Sequence, residues 1–156
     1  MKPSFSHRRL SPDALSAADA HALLLTAKAL KQASRAGGEP LLLKGKNIAL
    51  LCDKADCDCA AAFDAAATQL GARVSRIHAE AMLPPETARI LGHLYDAVDC
   101  EHVPHEIVSR LQQQVGVPVY QGLGRDDHPM FDLLAPTDGA DERRYLLQAL
   151  LVSTMG

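Results

Sequence analysis

Asn47-Ile48-Ala49-Leu50-Leu51-Cys52 carries no charge and no polar side chain after its first position. A strand with one face in water alternates apolar and polar residues, whereas a run that is apolar throughout fits a strand covered on both faces, as in a parallel sheet. Acids and thiols follow in Asp53-Lys54-Ala55-Asp56-Cys57-Asp58-Cys59. Residues 60–70 are then alanine-rich and helical, and Gly71 ends them. Strand, loop, helix and turn in this order are the first half of a βαβ unit.

Outward from this segment the alternation continues. Residues 73–78 read as a second, more exposed strand, and 86–94 as a short helix after Pro84-Pro85. A third strand is expected at 97–100, a helix at 104–114, a fourth strand at 117–120 and a short helix after His128-Pro129. Strand–helix alternation at this spacing predicts a parallel α/β sheet with right-handed crossovers and helices on both faces. Upstream, Ser11-Pro12 and Ser16-Ala17-Ala18-Asp19 are both helix-start signals. The helix they open runs to Arg35 with Leu23, Ala27 and Leu30 on one face, and Ala36-Gly37-Gly38-Glu39-Pro40 stops it. A closing helix is expected at 140–156, with Asp141-Glu142 near its start and Leu146, Leu147, Leu150 and Leu151 as its apolar side.

Composition sets the outer limits. With 156 residues, 47% hydrophobic and 22% charged, the chain can bury one core as a single domain and is not a disordered sequence. A net charge of -3 gives no pull toward nucleic acid or an anionic membrane, and no apolar run reaches the roughly 18 residues that span a bilayer. Residues 1–9 are basic without an apolar stretch behind them, so they read as a flexible N-terminus rather than a secretory signal. Four cysteines (Cys52, Cys57, Cys59, Cys100) are too few for a disulfide scaffold, so a reducing cytoplasm is expected.

In parallel α/β sheets, ligands sit at the carboxyl ends of strands, where loops lead into helix N-termini. This rule selects residues 53–59, 101–103 and 121–129.

Those segments, in order, resemble the ornithine and aspartate carbamoyltransferases, ornithine carbamoyltransferase more closely. The resemblance is carried by Leu43-Lys44-Gly45-Lys46-Asn47-Ile48-Ala49-Leu50, by Phe63 with Ala66-Ala67-Thr68-Gln69-Leu70-Gly71, and by Thr87-Ala88-Arg89-Ile90-Leu91-Gly92 with Tyr95-Asp96-Ala97. Gly116-Val117-Pro118-Val119-Tyr120, Gly122-Leu123 and His128-Pro129 complete it, so that it covers roughly residues 10–134. The ending, Glu142-Arg143-Arg144 through Ser153-Thr154, is similar to the family's final helix, yet it follows the His-Pro pair after about ten residues. The resemblance therefore implies a carbamoyl-phosphate-type domain, 1–156, in which the second domain is missing and the closing helix is retained. It also implies a three-layer sandwich with four parallel strands in the order 2-1-3-4.

The family cradles phosphate with Ser-Thr-Arg-Thr-Arg at a helix N-terminus, which supplies amides, hydroxyls and guanidinium forks. The aligned residues here are Asp56-Cys57-Asp58-Cys59-Ala60. One like-charge pair near 4 Å costs about 1 kcal/mol in water and roughly 4 in a partly shielded site. Two added carboxylates and two lost arginines should therefore abolish useful phosphate affinity, and Lys54 alone does not offset them. Glu101 stands where the family has the arginine that polarises the carbamoyl oxygen, Met130 and Phe131 replace a Thr and a Gln, and the 79–85 loop is short, with no Ser or Lys. Of the polar catalytic groups only His128 remains. A tetrahedral intermediate without positioned donors is not stabilised, so the transferase class implied by the family is expected without its activity.

The altered pocket, then, is Lys54, Asp56, Cys57, Asp58, Cys59 and His128. Cys57 and Cys59, with Asp56, Cys52 and Cys100 nearby in sequence, are candidate zinc ligands, but a single C-x-C lacks the paired spacing of structural zinc sites. Buried strand-end thiols are also common as small apolar residues. His128 reads as a turn residue, His102 and His105 as solvated loop residues beside Pro104, and no histidine has a partner at metal-ligand spacing in the sequence. Arg143-Arg144 reads as a solvated face. No cofactor is expected. The leading expectation is a non-catalytic, carbamoyltransferase-like domain that binds a partner or another small ligand. Its partner would be further copies of itself in a trimer, or a full-length carbamoyltransferase. The alternatives are an enzyme or thiol–metal site in the Cys/Asp pocket, or residual carbamoyl phosphate binding.

Overall fold

A computed structural model describes residues 12–38, 40–54, 57–78 and 85–155. The expectations placed on residues 1–9, Ser11, Asp56 and the 79–84 part of the loop lie outside these described residues. The elements are α1 (Ala17–Arg35), β1 (Asn47–Cys52), α2 (Asp58–Gln69), β2 (Arg73–Ile77), α3 (Pro85–Leu94), β3 (Ala97–Glu101), α4 (His105–Gln114), β4 (Val119–Gln121) and α5 (Ala140–Met155), with short 3-10 turns at Pro12–Ala14 and Pro129–Leu133. Ser16 is the cap of α1: its hydroxyl accepts from the Asp19 amide at 3.1 Å.

All four strands pair in parallel in the order β2-β1-β3-β4. The two central strands are buried along their length, β3 entirely and β1 after Asn47, which explains why β1 shows no alternation in its sequence. The edge strand β2 is largely exposed. Successive side chains point to opposite faces, so each strand feeds two cores. Ile48, Leu50, Cys52, Ala97 and Tyr120 join α1, α2 and α5 on one side. Ala49, Leu51, Val98, Cys100 and Val119 join α3 and α4 on the other. Three layers result.

The closing helix departs from the one-sided pattern expected of it. Tyr145 through Leu151 are seven consecutive buried residues, because α5 packs on both α1 and α2. A helix covered on several sides carries no polar stripe there. The exception is Gln148, whose Nε2 donates to the Ala66 carbonyl at 3.1 Å and to Gln69 Oε1 at 3.2 Å, so its amide is satisfied inside the core. Lys31 and Glu142 form an ion pair that ties the start of α5 to α1. Arg143 and Arg144, expected to be solvated, are half-buried: Arg143 approaches Asp126, and Arg144 donates to the Tyr145 hydroxyl at 3.1 Å. Among the described residues no helix is long and apolar enough to cross a membrane.

Candidate functional site

The parallel sheet brings the loops after β1, β3 and β4 to one edge. Register places Cys52 beside Glu101, Leu50 beside Asp99 and Asp99 beside Tyr120. Asp99 and Glu101 therefore share the face of Ala97, toward α1, α2 and α5, with no accessible surface. Cys100 points to the opposite core, which removes it from any cluster with Cys57 and Cys59.

Cys57 caps α2: its sulfur accepts the Ala60 amide at 3.4 Å. One of the free amides that could face an anion at this helix start is thus already taken. Cys57 is buried, Cys59 half-buried, and Asp58 and Lys54 exposed. Cys52 donates to the Lys54 carbonyl at 3.5 Å. Burial first, then the negative charge of Glu101, raises the Cys59 thiol to about 11.

The loop after β4 closes over this corner. Gly122 donates to the Cys100 carbonyl and is in the left-handed region at φ 68°. Gly124 then donates to Glu101 Oε1 at 2.8 Å. A Cβ at Gly124 would lie 2.0 Å from the Cys59 carbonyl oxygen and 3.0 Å from Glu101 Oε1, so the loop backbone rests directly on the first turn of α2. Arg125, next in the chain, pairs with Asp127 through two bonds of 2.9 Å.

Buried carboxylates need donors. Neither oxygen of Asp99, nor Glu101 Oε2, has one within hydrogen-bond distance. Burial, then repulsion by Glu101, drives the Asp99 pKa well above the carboxylate range, while the amides of Leu123 and Cys100 act weakly in the opposite sense. A carboxyl shifted in this direction favours its neutral form, whose hydroxyl can donate toward Glu101. Tyr120, the other titratable group beside Asp99, is shifted upward by burial and shares a 2.5 Å bond with Thr154.

His128 is buried and opens the Pro129–Leu133 turn, its Nδ1 accepting from the Met130 amide at 3.1 Å. Burial lowers its pKa. His105 begins α4 and is exposed. His102 is different. It is exposed, as expected, but it sits at φ 56°, and a ring nitrogen lies with the sulfurs of Cys57 and Cys59 in a group whose atoms are all within 4.8 Å of one another. No histidine has a partner at metal-ligand spacing along the sequence; this grouping arises only in the fold. Linear spacing did not reveal it because the partners come from different strand ends.

A parallel sheet in this order, with its helix-start loop facing the ends of the third and fourth strands, defines a doubly wound α/β domain with its candidate site at the carboxyl edge. Residues 8–135 match the aspartate/ornithine carbamoyltransferase, carbamoyl-P binding domain, and the chain belongs to that family. An ornithine carbamoyltransferase of Actinobacillus pleuropneumoniae serotype 5b is 40% identical over 115 residues, which is 69% of this chain and 34% of that protein. The chain thus spans about a third of the length of such relatives. Among solved structures, ornithine carbamoyltransferase from Pyrococcus furiosus superposes with a TM-score of 0.61 at 27% identity, covering 69% of this chain and 36% of that one. The Burkholderia thailandensis enzyme gives 0.66 over 80% of this chain and 45% of its own; at 20% identity it supports the fold alone.

Proposed function

We propose that this chain is a non-catalytic member of the carbamoyltransferase family, acting through association with other copies of itself rather than through carbamoyl transfer. The observation that carries this reading is Glu101. A buried carboxylate stands where the resemblance calls for an arginine, and it draws the Gly124 amide, with its loop, onto the first turn of α2. The space a phosphate would need at that helix start is bounded by acid and backbone. The helix amide of Ala60 is already used by Cys57. Both effects oppose an anion.

Self-association is supported by α3, where Ile90 and Leu94, one turn apart, are 53% and 62% exposed. A trimer is the expected state, by analogy with the family, and a mixed trimer with a full-length carbamoyltransferase would make this chain an inactive subunit. The 79–85 loop, which by the resemblance would cross between subunits, is short, so a reduced interface that dissociates on dilution is expected, since interfaces below about 1,200 Å² associate weakly.

Two measurements test the reading. Millimolar carbamoyl phosphate or phosphate should leave the melting temperature unchanged. A ligand at 100 times its Kd would stabilise by about 2.7 kcal/mol and move it by several degrees, and such a shift would show that the phosphate site is intact. Light scattering coupled to size exclusion, across a hundredfold concentration range, should show a species above 16.7 kDa. A monomer throughout, with no co-elution with a full-length family member, would remove the subunit role.

A further inference from the structure

We infer that Cys57, Cys59 and His102 form a binding site for one thiophilic metal ion of the zinc class, held by three protein ligands with a fourth position open to solvent. The inference is independent of whether carbamoyl transfer survives.

Chemistry selects the metal. Two thiols and an imidazole are soft to borderline donors that suit zinc and disfavour calcium or magnesium, which take oxygen ligands. Geometry comes next. The three ligand atoms lie within 4.8 Å of one another. Zinc–sulfur bonds of about 2.3 Å and zinc–nitrogen bonds of about 2.0 Å in a tetrahedron separate neighbouring ligands by roughly 3.5–3.8 Å. Closing the site therefore takes movements of about 1 Å, within reach of side-chain rotation.

The supports are also in place. Cys57 is fixed by its capping role, and the Ala60 amide that donates to its sulfur is the kind of outer hydrogen bond that orients a metal thiolate. Cys59 lies one residue into α2, held under the Gly124 loop. His102 follows β3 directly, in a left-handed backbone conformation that is uncommon for residues other than glycine. Such strain persists where the surroundings require a side chain to be aimed. Adjacent to it, Glu101 is completely buried and its Oε2 has no donor. A divalent cation at the neighbouring thiols would offset that negative charge. Burial falls from Cys57 through Cys59 to the exposed His102, so the uncovered coordination position faces outward, as in zinc sites that keep three protein ligands.

The test uses the whole chain, reduced and stripped with chelator, titrated with cobalt(II) and then with competing zinc(II). One equivalent of cobalt should produce the strong visible absorption of a tetrahedral thiolate complex, and zinc should displace it. Cys59→Ser and His102→Asn should each weaken zinc binding by at least about tenfold, since loss of an outer-shell partner alone costs 10–100-fold. Asn tolerates the left-handed conformation, so His102→Asn keeps the fold, checked by circular dichroism. Cys100→Ser, in the opposite core, should bind as the native chain does. A folded, reduced protein that takes up no cobalt or zinc would overturn the inference. So would a His102→Asn variant with native affinity, because the site would then lack its third ligand.

Discussion

Gly124→Ala is the most direct probe of the closed corner. The backbone angle of Gly124 is not left-handed, so alanine brings no conformational penalty and its effect is steric. The new Cβ would stand 2.0 Å from the Cys59 carbonyl oxygen and 2.9 Å from its carbon, where 3.4–4 Å is ordinary contact. Backbone must move by more than 1 Å on one side or the other. On one side is the first turn of α2, fixed by the Ala61 amide donating to the Cys57 carbonyl; on the other is a loop fixed by Gly122 donating to Cys100. The first turn of α2 belongs to a twelve-residue helix, whereas the loop is irregular, so the loop is the part that lifts. Overpacking of this kind costs about 1–3 kcal/mol. Lifting the loop also removes the backbone donor of Glu101 Oε1, which adds about 1–3 kcal/mol for a buried acceptor left unpaired. The combined loss, about 2–6 kcal/mol, corresponds to a fall of roughly 4–24 °C in melting temperature for a domain of this size. Urea and thermal unfolding should be run beside Gly116→Ala, whose glycine is left-handed at φ 76° with nothing within 4 Å of its would-be Cβ. That control costs only the backbone term, about 1–2 kcal/mol. If Gly124→Ala is no more destabilising than Gly116→Ala, the loop does not rest on α2 and the closed-corner argument fails.

Three further outcomes follow from the same geometry. Asp99→Asn should stabilise the protein increasingly as pH rises: the folded pKa lies above the unfolded value of about 3.9, so the native contribution is full at low pH and is lost upward, by up to about 1.4 kcal/mol per pH unit until the folded pKa is passed. Urea curves of both proteins from pH 4.5 to 8 would show the gap widening, and a pH-independent gap would mean that burial does not raise the Asp99 pKa. Gln148→Leu should lower stability by about 1–2 kcal/mol, read as a lower urea midpoint at constant m-value, since two hydrogen bonds to α2 are lost. In chelator, Cys57→Ser should equal or exceed the native chain in stability while Cys57→Ala loses about 1 kcal/mol; equal stabilities would remove the capping role.

The sequence made the central layer legible and the crowded corner less so. β1 runs over the six residues expected of it, because a strand buried on both faces leaves an uninterrupted apolar run. β4 spans three residues rather than four and is shifted toward Gln121, as edge strands carry a weaker pattern. The closing helix was legible in extent but not in surroundings, since Leu146 to Leu151 read as one stripe until α1 and α2 are seen to cover the rest. His102 escaped notice because it lies some forty residues from Cys57 and Cys59 in the chain. A signal existed: the order 2-1-3-4 puts the loops after β1 and β3 side by side, and the Cys52–Glu101 pairing brings their ends level. What no pattern announced was Gly124, whose meaning depends on a carbonyl 2.0 Å from an atom it does not have.

Glu101 and Gly124 are best understood as one physical unit. A carboxylate with no accessible surface is tolerated only if donors reach it, and on this strand end the donors are the Gly124 amide and the carboxyl of neutral Asp99. The amide can arrive only if the loop comes down onto the Cys59 carbonyl, and the loop can come down only without a Cβ at position 124. Each feature requires the next. An arginine at position 101 would meet the opposite conditions: a buried acid at Asp99 to pair with, a loop amide with no acceptor, and no opening toward the start of α2. Charge reversal at a single position therefore does not rebuild an anion site here. Closure of the corner is maintained by a chain of contacts running from Asp99 through Glu101 and Gly124 to Cys59, and the thiol pair with His102 lies at the exposed end of that chain.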